Sequence, residues 1–290
     1  MNGTSFDFEA IGTHWNIDIR KEISPEQLVV LRDAIFLRIE EFDKTYSRFR
    51  ADSLVTKMSQ ENGEYILPDD AELLFFLYER VYRLTEGKVT PLIGDVLIAA
   101  GYDATYSFET KKLRAPAAWD EVLAYVPPKL KIKHRTMLDF GAAGKGYLVD
   151  IVGDLLREHG RESFTVNAGG DIRHKSATHE SLRVGLEHPD DPTKVIGIVE
   201  LSDQSICGSA GNRRKWNGFT HIIDPVTLAS PKDILATWVI ADTTMVADAL
   251  ATCLFFVPPE RLMNDFSFAY IILHSDYSVT RSADVQAEFF

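Results

Sequence analysis

Leu138-Asp139-Phe140-Gly141-Ala142-Ala143-Gly144-Lys145-Gly146-Tyr147 is the stretch on which the fold turns. Its apolar start reads as a short strand over residues 137–140. Its three glycines make a tight turn, and the helical periodicity that follows predicts a helix over residues 146–158, ended by Gly160. Such a turn can aim free backbone N–H groups at an anion, with the ammonium of Lys145 beside them. It is not a phosphate-binding loop of the Walker type, because two residues separate Gly141 from Gly144-Lys145 and Gly146 stands where that loop needs Ser or Thr. Taken alone, it is equally an ordinary strand-to-helix turn with a surface lysine.

The flanks supply both kinds of element. Toward the N-terminus, residues 5–20 alternate in polarity around Gly12-Thr13, which predicts a hairpin. Ser24-Pro25-Glu26-Gln27 forms a capping box with Pro in the first turn, and Leu28, Leu31, Ile35, Ile39 and Phe42 follow at helical spacing to about Tyr46. A second helix starts near Asp69 and stops at Gly87, with Leu73, Phe76, Leu77, Val81 and Leu84 read as its inner face. Toward the C-terminus, short strands are expected at residues 164–166, 182–186, 195–201, 221–223, 237–240, 268–273 and 277–280, with a helix over 244–256. No repeat or linker-like tract interrupts this order. The expectation is therefore an α+β fold, a single domain over residues 1–290 with room for two lobes, mixed sheets, flanking helices and a ligand cleft.

Composition removes several function classes. Among 290 residues, 43 are Asp or Glu against 31 Lys or Arg, a net charge of −12 that repels polyanions, so no nucleic acid partner is expected. The strongest apolar runs, residues 73–77 and 271–273, are far shorter than the roughly 18 residues of a membrane span, so no transmembrane segment is expected. The first residues carry no basic-then-apolar signal. Cytoplasmic placement is the default expectation, giving way to periplasmic or membrane-anchored placement if an export signal has been removed. Cys207 and Cys253 lack metal-ligand spacing and read as buried thiols.

Four further constellations could carry chemistry, each beside a plainer reading. Asn167-Ala168-Gly169-Gly170-Asp171 ends a strand and would let a ligand approach the backbone, or is simply a turn. Asp248 and Thr252 lie i, i+4 on one helix face and offer oxygen ligands suited to Mg²⁺, or act as a helix-start Asp and a Thr bonding back to a carbonyl. His221, in Thr220-His221-Ile222-Ile223-Asp224-Pro225-Val226-Thr227, could hold a phosphate or move a proton, or is a satisfied histidine. Phe49, in Ser47-Arg48-Phe49-Arg50-Ala51-Asp52-Ser53, offers a ring among polar groups, or belongs to an ordinary loop.

The order of these blocks resembles the ApbE-like FAD:protein FMN transferases over about residues 8–274. It is most specific at residues 138–150 (like DlgaiaKGyavD), 221–227 (like HIiDPrTG) and 248–252 (DALAT). The resemblance implies that FAD is a substrate and that FMN is joined through its phosphate to a threonine of a target flavoprotein, a redox subunit, with release of AMP. It also implies Mg²⁺, held by the side chains of Asp248 and Thr252 and the carbonyl of Ala142. Asp248, His221 and Lys145 become the catalytic candidates. Phe49, Ala142, Lys145, Gly169, Gly170, Asp171, Ser209 and His221 become the FAD-binding candidates.

Departures from the family pattern are specific. Ser59 replaces an Asn, leaving room for a water beside the metal and flavin, which favours hydrolysis of FAD to FMN and AMP when no target is present. Val89-Thr90-Pro91-Leu92 replaces an acidic FDpT, Gly208-Ser209-Ala210 replaces TSG, and Leu228 stands where a Gly follows DPxT. Phe49 replaces a Tyr or Trp. Two alternatives therefore accompany the transferase: a Mg²⁺-dependent FAD pyrophosphatase and a non-catalytic FAD-binding protein.

Overall fold

The computed structural model describes residues 3–211 and 214–290. Eight strands form its central sheet, in the spatial order Thr4–Ala10, Thr13–Ile19, Phe164–Ala168, Asp171–Lys175, Ser205–Ala210, Ile234–Ala241, Ala269–His274 and Val279–Arg281. The first two are the expected hairpin, with Ala10 opposite Thr13 across Gly12. The expected α+β architecture of several sheets with flanking helices is present, and every ladder among the described strands is antiparallel rather than of mixed direction.

Strand alternation gives this sheet two buried faces. On one, Val166, Cys207, Val239 and Ile272 join the main core, which also takes Leu31, Ile35, Ile39 and Phe42 from the helix Pro25–Tyr46. On the other, Ile172, Ile206, Trp238, Ile240 and Ile271 pack with Leu186, Val199 and Leu201 of a small sheet built from Leu182–His188, Asp191–Leu201 and Ala287–Phe289. Gly63–Ile66, Lys129–Ile132 and Leu123–Val126 form a second three-stranded sheet.

Two helices on the first face carry the glycine-rich turn and the Asp248 block. Gly144–Glu158 lies over Phe164–Ala168 and Asp171–Lys175, and Thr244–Cys253 lies over Ser205–Ala210 and Ile234–Ala241. They approach so closely at Gly146 that a Cβ there would sit 2.4 Å from the Thr244 carbonyl oxygen and 2.7 Å from Asp248 Cβ. Each also caps the other. Gly146 N–H donates to Asp248 Oδ2 at 2.9 Å, while Thr244 and Met245 N–H donate to Asp150 Oδ1 and Oδ2 at 3.0 and 2.8 Å. A helix start has unpaired N–H groups and a positive partial charge, so each buried carboxylate stabilises the opposite helix.

Several expectations are corrected. Residues 137–140 are not a strand: their bonds run from Asp139 N–H to the Pro91 carbonyl and from Met137 N–H to Asp95, neither of which lies in a sheet. The helix Ala71–Leu84 buries Leu74, Phe75, Leu77, Tyr78 and Val81, leaving Leu73 and Phe76 exposed. Residues 221–223 are not a strand either; the short pairing there is Lys215–Trp216 with Phe219–Thr220. The helix Leu54–Gln60, capped by Ser53, was not anticipated. Both cysteines are buried, as expected.

Gly146→Ala should lower stability by about 1–3 kcal/mol in urea denaturation, because the added methyl has backbone rather than a flexible side chain to displace. A variant as stable as the parent would contradict the close helix crossing.

Candidate functional site

A cleft of about 330 Å³ opens where the residue 139–145 loop, the second half of Thr244–Cys253 and the ends of the central strands meet. Its lining brings together Phe49, Ala142, Lys145, Gly169, Ser209, His221, Asp248 and Thr252. These come from six separate stretches of chain. Of the remaining candidates, Gly170 lies at the strand turn, its N–H donating to Asn167 Oδ1 at 2.9 Å, and lines a different cavity. Asp171 is buried behind the cleft wall, where it forms an ion pair with Lys145. Lys145 Nζ also donates to the Ala168 carbonyl at 3.3 Å, so the ammonium is fixed over the end of the sheet.

The charges here are unbalanced. Asp248 and Asp171 are both buried, and Lys145 is the ammonium between them. Burial, then the like charge of Asp171, push the Asp248 carboxyl well above its usual range against the pull of Lys145 and the Gly146 N–H. Burial works against the Lys145 charge, but Asp171 and Asp248 outweigh it and raise its pKa. A further cation at Asp248 would relieve this. The donor set fits Mg²⁺: one carboxylate, the Thr252 hydroxyl and the Ala142 carbonyl are hard oxygens on one cleft. No cluster of three or more His, Cys, Asp or Glu suited to a metal occurs among the described residues, so the protein alone does not build a closed cage. Mg²⁺ ordinarily keeps water or substrate phosphate in much of its shell.

The cleft lining is also aromatic. Phe49 packs edge-on to Tyr102 and stacks with Tyr106 at 5.6 Å, and the Arg48 guanidinium sits 4.1 Å from the Phe49 ring centroid. Arg48, buried, pairs through Nε with Asp139 and donates to the Tyr102 carbonyl at 2.7 Å. Asp139 in turn accepts from Gly141 N–H at 2.8 Å, and Tyr78 Oη accepts from Ala142 N–H at 3.2 Å. The glycine-rich loop is thereby anchored on both sides. Burial pushes the Tyr102 phenol up to about 12, although Arg214 opposes it, so the hydroxyl stays protonated at neutral pH.

Arg48, Tyr102 and Asp139 were missed as site residues. Arg48 and Tyr102 are single polar or aromatic residues in loops, and the Arg48–Asp139 pairing joins positions 91 apart, which no local pattern reveals. His221 lines the cleft from the irregular segment before Asp224, whose Oδ1 accepts from Val226 N–H at 2.7 Å and Thr227 N–H at 3.2 Å. That turn ends at Leu228 with φ of 58°, the left-handed region that glycine occupies without a Cβ penalty. Ser59 lies outside the cleft, its hydroxyl donating to the Thr56 carbonyl at 2.7 Å within its own helix. The water-admitting role expected of it is therefore not supported.

Fold and cleft together define an α+β protein whose one cleft is lined both by oxygen ligands with an ammonium and by aromatic rings. The chain belongs to the ApbE family, whose sequence profile matches residues 11–267. It is 27% identical over 270 residues to a protein of Vibrio cholerae named FAD:protein FMN transferase, covering 87% of this chain and 81% of that one. Two solved structures share its fold. One is a flavin transferase ApbE variant from Vibrio cholerae, with TM-score 0.80, 22% identity and 98% of each chain covered. The other is the ApbE protein of Thermotoga maritima, with TM-score 0.81, 20% identity and 97% of each chain covered.

Arg48→Met should destabilise the chain by about 3 kcal/mol, because it strands the Asp139 carboxylate. Arg48→Met/Asp139→Asn should recover part of that loss, since the amide keeps the Gly141 bond without a charge. Thermal denaturation of Arg48→Met, Asp139→Asn and the double variant checks this, and simple additivity of the single losses would contradict it.

Proposed function

We propose that this chain is an FAD:protein FMN transferase, dependent on Mg²⁺, whose acceptor is a threonine of a target flavoprotein. The observation that carries the reading is the one cleft whose lining brings Lys145, His221, Asp248, Thr252 and Ala142 together with aromatic residues such as Phe49 and Tyr102. A flavin dinucleotide offers both matching chemistries, a ring system for the aromatic residues and a pyrophosphate for the cation-binding ones. The names of the relatives point the same way.

The reaction breaks the bond between the FMN phosphorus and the bridging oxygen that leaves with AMP, and forms a bond from the threonine oxygen to that phosphorus. Charge grows on the phosphate oxygens as this happens. Lys145, held in place by Asp171 and the Ala168 carbonyl, is fixed before the substrate arrives and so needs little reorganisation to meet that charge. His221 supplies a second N–H donor on the same cleft. Asp248, Thr252 and the Ala142 carbonyl would hold Mg²⁺, which when bound neutralises the pyrophosphate and polarises it for attack. Asp248 is also the carboxylate able to relay the acceptor proton toward the departing AMP phosphate. Phe49, with Tyr102 and Tyr106 behind it, gives the flavin an apolar boundary. Hydrolysis would use the same electrophile with water as acceptor, and the position that favoured it, Ser59, lies away from the cleft.

Incubation with FAD, Mg²⁺ and flavin-binding redox subunits, followed by intact mass spectrometry, tests the proposal. The expected result is a target heavier by one FMN residue, the addition mapping to a threonine, with AMP released in equal amount and no addition in the presence of a chelator. Free FMN as the sole flavin product, with the target unmodified, would overturn it.

A further inference from the structure

The helix Ala71–Leu84 supplies none of the residues that line the cleft, yet one of its side chains reaches the loop that does. Tyr78 is 1% exposed, and its Oη accepts the Ala142 N–H at 3.2 Å. Its ring lies edge-on to Phe140 at 5.5 Å, and Phe75 and Tyr46 meet the same ring at that distance. Phe140 is thereby packed among three aromatic neighbours, and the phenol oxygen is held beside it.

Residue 142 is tied down from two sides. Its own N–H goes to Tyr78, and the next one, that of Ala143, donates to the Phe140 carbonyl at 3.2 Å. The peptide between Ala142 and Ala143 is trans, so its carbonyl points the opposite way from its N–H, away from the Phe140 carbonyl. The helix does not take that carbonyl back. Gly146 stands four residues on, where an α-helix would donate to it, but the Gly146 N–H goes to Asp248 Oδ2 at 2.9 Å. The helical ladder opens one residue later, with Tyr147 N–H on the Ala143 carbonyl at 2.9 Å. The Ala142 carbonyl is thus left outside the ladder, on a residue that lines the cleft with Asp248 and Thr252.

We propose that Tyr78 is a positioning residue for the divalent cation: by holding the Ala142 N–H it sets the orientation of the Ala142 carbonyl before the cation arrives. This rests on the metal placement proposed above. Only two soft dihedrals separate the peptide before Ala142 from the one after it, so fixing the first restricts the second. A phenol does this without charge, beside a cleft where Asp248 and Asp171 are already buried. Without the bond, binding the cation would also have to order the loop.

Tyr82 provides the comparison. It lies one helical turn further on, and its Oη accepts a backbone N–H at the same 3.2 Å, but from Trp119, and neither residue lines the cleft. Tyr78→Phe and Tyr82→Phe therefore remove the same kind of bond, and only the first touches the loop. Thermal denaturation reports what each variant loses in stability. Mn²⁺ binding is titrated by electron paramagnetic resonance with FAD present, and FAD binding by calorimetry with a chelator present. Tyr78→Phe should bind Mn²⁺ about fivefold or more weakly while its FAD binding in chelator changes less than about twofold, and Tyr82→Phe should keep both within about twofold. Lactic acid incorporated in place of Ala142 removes the same N–H from the other side of the bond, with Tyr78 intact, and should reproduce the loss of Mn²⁺ affinity. Parent-like Mn²⁺ affinity in Tyr78→Phe or in the lactic acid chain would overturn the proposal. An equal loss in Tyr82→Phe would also overturn it, as a general consequence of destabilisation. A parent chain that binds no Mn²⁺ with FAD present would overturn the metal placement and this proposal with it, whereas parent-like binding by the variants overturns only the role of Tyr78.

Discussion

Two helices hold each other's first turns, and the site hangs on that exchange. Asp248 of one accepts the Gly146 N–H of the other, and Asp150 of the second accepts the Thr244 and Met245 N–H groups of the first. The contact requires a residue without a side chain at 146, since the Thr244 carbonyl occupies the space of a Cβ. From this crossing follow the place of Lys145 one residue earlier, over the end of the sheet, and of Thr252 one helical turn beyond Asp248. Arg173 braces the arrangement from the sheet, donating to the Asp150 carbonyl at 2.6 Å and to Asp154 Oδ1 at 2.8 Å.

The same exchange gives the cleft its electrostatics. A carboxylate that caps a helix is normally one charge against one dipole, but Asp248 is buried with Asp171 close enough to raise its pKa. Lys145 answers only part of that demand, because it is already paired with Asp171. A site with this balance favours a hard cation that arrives with an anionic substrate. Arg48 is consumed by Asp139, Tyr102 and the Phe49 ring, so its charge organises the loop and the aromatic lining rather than adding a free positive group.

How much of this was legible in the sequence depended on whether the determining contacts were local. The helix Pro25–Tyr46 was readable because Ser24 accepts from Gln27 N–H and the apolar spacing points one way. The hairpin at Gly12 was readable for a similar reason. The inner face of Ala71–Leu84 was misread because residues 73–77 are uniformly apolar, and periodicity cannot choose a face where every position qualifies. Residues 137–140 looked like a strand, yet their partners are Pro91 and Asp95, far off in sequence and outside any sheet. Most of the cleft candidates were legible through the order of short motifs. The parts that depend on long-range pairing, Arg48 with Asp139 and Asp171 behind Lys145, were not.

The central claim is that Asp248 is the carboxylate through which a divalent cation and FAD bind together. Calorimetric titration of FAD into the chain and into Asp248→Asn, each with Mg²⁺ and with a chelator, addresses it without needing a target protein. The account predicts that Mg²⁺ tightens FAD binding to the parent by about tenfold or more and leaves the variant nearly unchanged, because the amide keeps its shape but not the charge. An equal gain from Mg²⁺ in both proteins would contradict it.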